Sequence, residues 1–259
     1  MTPENPSSNS WLEERTEELK AVIVFCTRLP VMRATPLGGG AIAKAAWAFP
    51  VAGLLVGVIG AIVYALAHKL GLPSWPAAAL TVAATLLATG CLHEDGLADT
   101  ADGFGGGTSR ERKLDIMRDS RIGTYGVCAL TVSLLLRVAA LASLPGAHAA
   151  VWALVAAHAG ARATMPALML VLPPARSDGL SFEAGRPPAE AVAAAALIGF
   201  LVLAICLHLG HALFALIALA ALVAAMAWLA MRQIGGQTGD VLGALEQVGE
   251  IALLLVALG

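Results

Sequence analysis

Seven stretches of this chain are apolar for long enough to cross a hydrocarbon layer of about 30 Å, and they leave room for little else. They lie near residues 45–67, 76–92, 124–144, 149–172, 191–208, 211–231 and 241–258. In lipid every backbone amide has to find its partner within the chain, so apolar spans of this kind fold as helices. The expected fold class is therefore all-α: a polytopic transmembrane helix bundle of about seven spans, forming one integral-membrane domain over residues 1–259. The second and fifth stretches are short for spans, and Gly210 leaves space for only a tight hairpin between the fifth and sixth. Composition agrees, with 58% hydrophobic and 13% charged residues, where a soluble domain carries roughly a quarter charged. A net charge of −2 without a basic tail gives no footing for nucleic acid.

Ahead of the first span, residues 1–10 are polar and expected to lack fixed structure. The acid-rich N-terminus argues against a cleavable signal peptide. From Trp11 to Arg28, Leu12, Leu19, Val22, Ile23 and Cys26 recur at helical spacing, apart from Glu13, Glu14 and Glu17. That pattern predicts an N-terminal amphipathic helix, lying either in the membrane interface or against the bundle. Cys26, Cys91, Cys128 and Cys206 are isolated, with no CxxC, so packing suits them better than disulfides or a thiolate metal site.

Basic residues set the orientation. Arg15, Lys20, Arg28, Arg33 and Lys44 precede the first span, and Arg110, Arg112, Lys113, Arg118 and Arg121 lie between the second and third. Arg176 and Arg186 follow the fourth, Arg232 follows the sixth, and only Lys69 falls in a connection of the other parity. With the N-terminus inside, this obeys the positive-inside rule and puts segment 93–126 in the cytoplasm. Arg137 and Arg162 fall within spans, where charge is costly and pairing is the rule. Glu246 and Glu250, one turn apart in the last span, are the expected counter-charges.

The cytoplasmic segment His93–Gly126 differs from everything around it. Asp95, Asp99 and Asp102, spaced i, i+4, i+7, share one stripe of a helix. Three converging carboxylates repel unless a hard cation joins them, and oxygen-only ligands select Mg²⁺ or Mn²⁺ over zinc. Glu94 points about a quarter-turn away and is a weaker candidate. Phe104-Gly105-Gly106-Gly107-Thr108-Ser109 follows, a run able to form an anion-binding nest from its amides. Then come the five Arg and Lys residues, with Asp115 and Asp119 among them. Acids, a glycine run and a basic cluster together are equipment for a phosphate ester or diphosphate. His93, two residues before the acids, serves either as a general base or substrate contact or as an interfacial hydrogen-bonder. Arg232–Asp240 repeats the theme on the same side. Asp240 there can add a metal ligand, and either Thr238 or Asp240 can cap the helix that follows.

These blocks resemble the cobalamin synthase family. The matching pieces are Phe25-Cys26-Thr27-Arg28-Leu29-Pro30-Val31, the run His93–Gly103, the run Asp115–Gly126, and Gly235-Gly236-Gln237-Thr238-Gly239-Asp240, in family order and across nearly the whole chain. The 173–190 loop matches less distinctively and contributes no site residue. The resemblance implies transfer of the adenosylcobinamide-phosphate moiety of adenosylcobinamide-GDP to α-ribazole, or its 5′-phosphate, releasing GMP, with Mg²⁺ as cofactor. It also implies residence in a bacterial inner membrane. A homo-oligomer and contacts with other corrinoid-pathway enzymes are left open. With the residue reading beside it, the expected metal ligands are Asp95, Asp99, Asp102 and Asp240, with His93, Asp99 and Asp102 catalytic. Substrate binding is expected from Gly105, Gly106, Arg110, Arg118, Asp119, Arg121, Arg162 and Thr238. The proton acceptor stays open among His93, Glu94, Asp119 and the metal-binding carboxylates.

Two other readings fit less of the chain. Asp99-Thr100-Ala101-Asp102-Gly103 matches the DxxDG opening of the CDP-alcohol phosphotransferases. Gly106-Gly107 then stands where that family has Ala-Arg, and Ile116, Ser120 and Thr124 stand at its later Gly, Asp and Asp. An ion transporter could use Arg137, Arg162, Glu246 and Glu250 as a pathway, but no paired repeats are visible.

Overall fold

The computed structural model describes residues 8–32 and 40–259, and among these the chain is all-helical, without a strand. In order come α1 (Ser8–Cys26), α2 (Ala41–Lys44), a 3₁₀ turn (Ala45–Ala48), α3 (Phe49–Lys69), α4 (Ser74–Thr89) and α5 (Leu92–Gly106). They are followed by α6 (Arg110–Ile116), α7 (Thr124–Ser143), α8 (Ala147–Val171), α9 (Leu180–Ala184), α10 (Ala189–Ile234) and α11 (Gly239–Val256). Helix α1 starts at Ser8, so residues 8–10, expected without structure, belong to it; the expectation for residues 1–7 lies outside the described residues. Its C-terminal half packs on the bundle, with Ala21, Val22 and Cys26 buried and Trp47 Nε1 donating to Glu18 Oε2 at 2.6 Å.

The bundle has the expected class, and length and composition alone pick out fewer spans than the seven expected. Four helices have the length and composition to cross a membrane: Ala41–Lys69, α7, α8 and α10. The bent pair α4 and α5 makes five if it counts as one span. Alone, α4 has 16 residues, or about 24 Å of helix, short of a bilayer core. Helix α11 departs from span composition through Asp240, Glu246 and Glu250. The predicted fifth and sixth spans run as one 46-residue element broken at His208 (φ 63°, ψ 157°), two residues before the expected Gly210. Ala196 and Val223 border one groove against α8. In a straight helix they would stand roughly 40 Å apart, so the chain reverses at His208 and the two arms lie alongside each other.

Helix α8 is the axis of the bundle, buried along most of its length and packed by α3, α10 and α11. Its crowded neighbour α11 in turn packs on α5, the helix with the acidic stripe. Helix α5 reaches that position through a 91° bend from α4. Gly90 (φ 64°) and Cys91 (φ 58°) take the left-handed conformation in succession, which glycine accepts freely and cysteine at a cost of about 1–2 kcal/mol. Arg28 braces the turn. Its amide donates to the Ala88 carbonyl at 2.7 Å, and its side chain lies where a Cβ on Gly90 would be. The Phe25–Val31 block therefore shapes the entry of α5.

Candidate active site

Two glycines decide how close α5 and α11 come. A Cβ on Gly96 would sit 2.8 Å from the Asp240 carbonyl oxygen and 3.0 Å from its Cα. A Cβ on Gly243 would sit 3.1 Å from the His93 carbonyl oxygen. With no side chain at either position the two backbones touch, and Asp240 is set beside the α5 stripe. Thr238 fixes the start of α11 by accepting from the Val241 amide at 3.3 Å and donating to Asp240 Oδ2 at 3.0 Å. Thr238 is thus the helix cap.

The stripe itself divides. Asp95 is exposed and Asp99 half-buried, and Asp240 adds a third carboxylate from α11. Burial first, then the charges of Asp95, Asp240 and Asp102, push the Asp99 carboxyl up to about 7. Burial also raises Asp240, opposed mainly by Arg176. Asp102 faces elsewhere: its two oxygens accept the amides of Gly123 (2.6 Å) and Gly126 (2.9 Å) at the start of α7. It holds the N-terminus of α7 against α5, and Gly123 and Gly126 leave the space its carboxylate occupies.

Asp95 borders two hollows. One is a cleft of about 490 Å³ bordered also by Asp99, Arg118, Asp119 and Ser120. The other is a cavity of about 120 Å³ whose polar members are His93, Asp95, Arg176, Ser181 and Asp240. Arg176 is the cation of the site. It lies 3.7 Å from Asp240 Oδ2, and its buried Nη1 has no hydrogen-bond partner. The 173–176 segment is pinned beside α11 by Ala175 N to Gln237 O (2.8 Å) and Gln237 N to Pro173 O (2.9 Å). Sequence reading passed over Arg176. Its one signal was loop parity, which put it on the same side as 93–126.

The basic cluster is largely engaged within the protein. Arg110 donates to the carbonyls of Ile234 (2.7 Å) and Ala175 (2.6 Å), tying α6 to both loops. Arg118 forms a two-pronged pair with Asp178 (2.5 and 2.6 Å), and Asp178 lies 3.7 Å from Arg176. An alternating chain of charges, Arg118, Asp178, Arg176 and Asp240, therefore rims the site. Arg121 pairs with Asp119 on the exposed surface, and the Arg121 guanidinium holds the Asp119 carboxyl down at about 2. The predicted glycine loop is helical as far as Gly106, with Gly107 N donating to Gly103 O. The amides of Gly105 and Gly106 therefore lie inside a helix and form no nest. Gly105 instead lets the Tyr125 ring pack closely.

Behind the site lies a buried ionic cluster. Arg137 pairs with Glu94 and Glu250, each at 2.8 Å, and Arg162 pairs with Glu246 at 2.6 Å. Both expected counter-charges are thus in place, and Glu94 joins them. Every one of these side chains is at most 8% exposed. His158 Nδ1 lies 3.1 Å from Glu250 Oε2. Among the described residues, His158, Glu246 and Glu250 are the set whose ligand atoms lie within 4.8 Å of one another. Two guanidiniums already neutralise those carboxylates, so this cluster is a poor place for a divalent ion. Arg162 belongs to it and borders neither hollow, but Nη2 reaches His93 Nδ1 at 3.3 Å. A guanidinium can only donate, so His93 Nδ1 accepts and the proton of the neutral ring sits on Nε2.

The carboxylates of the two helices, with Arg176 beside Asp240, offer only oxygen donors, the kind Mg²⁺ takes, although as placed the three do not all bring an oxygen within 4.8 Å of one another. Asp95, Asp99 and Asp240 are the residues that would hold it.

The sequence matches the family described as cobalamin-5-phosphate synthase over residues 18–258. Among its relatives is an adenosylcobinamide-GDP ribazoletransferase of Bradyrhizobium diazoefficiens, 58% identical over 240 residues, covering 93% of this chain and 92% of that protein. A protein with the same description from Mesorhizobium japonicum is 57% identical, with coverage of 93% and 92%. Another from Ralstonia nicotianae is 43% identical, covering 95% and 96%. No solved structure matches the chain.

Proposed function

This chain belongs to the cobalamin-5-phosphate synthase family, and from that premise we propose that it is an adenosylcobinamide-GDP ribazoletransferase. It would join adenosylcobinamide phosphate to α-ribazole, or its 5′-phosphate, with release of GMP. The observation that carries this reading is the close approach of α5 and α11 at Gly96, which sets Asp240 near enough to Asp95 and Asp99 for their charges to interact, beside Arg176 and next to two hollows.

Asp95, Asp99 and Asp240 would hold Mg²⁺, which when bound would supply positive charge against the diphosphate and the departing GMP. The unpaired Nη1 of Arg176 donates to a non-bridging phosphate oxygen, and Arg118 does so on exchanging its Asp178 partner. A ribose hydroxyl of ribazole attacks the phosphorus on the corrinoid side. The new P–O bond forms as the bond to the GMP oxygen breaks, and the hydroxyl proton passes to a carboxylate of the site. His93, with Nδ1 occupied by Arg162, presents an Nε2–H donor and so binds substrate without taking that proton. The protein would sit in a bacterial inner membrane with this face in the cytoplasm.

The test is turnover. Protein in lipid nanodiscs with Mg²⁺, adenosylcobinamide-GDP and α-ribazole yields GMP and a completed corrinoid. Absence of GMP, or CMP release from a CDP-alcohol, overturns the proposal.

A further inference from the structure

The cavity of about 120 Å³ has an uneven lining. Its polar members gather where α5, α9 and α11 meet, while the remaining wall is apolar. Phe25 and Phe49 stand edge to face with centroids 6.2 Å apart, and Ile42, Met165, Met169 and Leu242 complete the enclosure. Two buried nitrogens at the polar members, His93 Nε2 and Arg176 Nη1, have no hydrogen-bond partner. Unpaired buried donors are costly, so they point to an occupant that supplies acceptors.

Resting on the proposed function, we infer that this cavity receives the benzimidazole base of the ribazole acceptor and is where the enzyme selects that base. Size comes first. A cavity of about 150 Å³ takes a benzene ring, so this one, at about 120 Å³, is slightly under the size of one flat ring as it stands and far too small for a corrin. Met165 and Met169, unbranched and easily repacked, give room for the second ring.

Polarity then separates benzimidazole from the other two bases present in the reaction, guanine and the adenine of the adenosyl group, whose exocyclic amine and several ring nitrogens also need polar partners. Guanine carries an exocyclic amine, a carbonyl and ring N–H groups, which apolar walls would leave unpaired. Dimethylbenzimidazole carries methyl groups and one free ring nitrogen, an acceptor that a single donor satisfies. Placement supports the same choice. Asp95 is shared with the 490 Å³ cleft on its other side, so a base seated here leaves its ribose at the carboxylates. The corrinoid diphosphate is then left the cleft, and the two substrates meet across Asp95.

The test uses the whole protein in nanodiscs. Ile42→Trp fills the cavity and raises KM for α-ribazole at least tenfold, with KM for adenosylcobinamide-GDP within twofold of the unaltered protein. Met169→Ala enlarges it and raises kcat/KM for a naphthimidazole ribonucleoside at least tenfold relative to α-ribazole. Equilibrium dialysis of α-ribazole alone reports the same loss for Ile42→Trp even where turnover is too slow to measure. A rise in the corrinoid KM instead, or base selectivity unchanged in Met169→Ala, overturns the inference. Failure of the functional reading is distinct, because the unaltered protein would then release no GMP before any variant is compared.

Discussion

Replacing Gly96 by alanine tests whether the site depends on the contact between α5 and α11. The added methyl would lie 2.8 Å from the Asp240 carbonyl oxygen, where ordinary contact begins at 3.4 Å. Both neighbours are backbone, so no side chain can swing aside, and the helices must part by about 0.6 Å at Asp240. Overpacking of this kind costs about 1–3 kcal/mol, which a bundle of this size can survive. Misplacement of reacting groups on the scale of 1 Å costs about 10²-fold in rate. The expected Gly96→Ala protein is therefore folded, a few degrees less heat-stable, and slower in GMP release by one to two orders of magnitude. Half-saturating Mg²⁺ rises with it, because Asp240 moves away from Asp95 and Asp99. Thermal unfolding and initial rates in one detergent measure all three. A Gly96→Ala protein with unaltered turnover and Mg²⁺ dependence would refute the reasoning.

Three further outcomes follow from the geometry. Arg162→Met leaves Glu246 buried without its guanidinium and loses about 3–5 kcal/mol of stability; Arg162→Met/Glu246→Met recovers most of it, measured by chemical unfolding in mild detergent. In the metal-free protein the raised Asp99 pKa means the folded state prefers the protonated acid. Stability in chelator should thus fall as pH rises from about 4 through 7, and Mg²⁺ affinity should climb by up to tenfold per unit and level above 7. Asp99→Asn should flatten both trends in a melting series run with chelator and with Mg²⁺. Arg176→Gln removes the cation beside Asp240 and lowers kcat/KM by about 10²-fold or more, with the melting temperature little changed.

Much of the fold could be read from the sequence, because bilayer-length apolar runs permit few alternatives to helices. Which apolar runs meet the length and composition of a span on their own was less plain. Helix α4 and α11 each look like a span in outline, but one is too short alone and the other carries buried acids whose partners sit on α7 and α8. The hairpin in α10 was legible to within two residues, since Gly210 marks a place where a helix is easily broken. Periodicity put Asp95, Asp99 and Asp102 on one helix, yet it could not show that they face different neighbours. That depends on the bend at Gly90 and Cys91 and on the Gly96–Gly243 crossing, which turn Asp102 to the amides of α7. Arg176 was hidden for the same reason, because its position comes from backbone bonds between segments over sixty residues apart. The pairing of Arg137 and Arg162 with Glu250 and Glu246 was readable, because buried charge in a membrane protein has so few options. His158 and Gln247, which join that cluster, were not marked out by the pattern of acids and bases in the sequence.

The central claim is that carboxylates from two helices, Asp95 and Asp99 on α5 and Asp240 on α11, form one divalent-cation site. Mn²⁺ titration followed by electron paramagnetic resonance tests it directly, on the protein in nanodiscs without substrate. Bound Mn²⁺ is expected in the unaltered protein, displaced by Mg²⁺, and lost or weakened at least tenfold in both Asp99→Asn and Asp240→Asn. Binding that persists unchanged in those two variants would contradict the account, as would binding that depends on Glu246 and Glu250 instead.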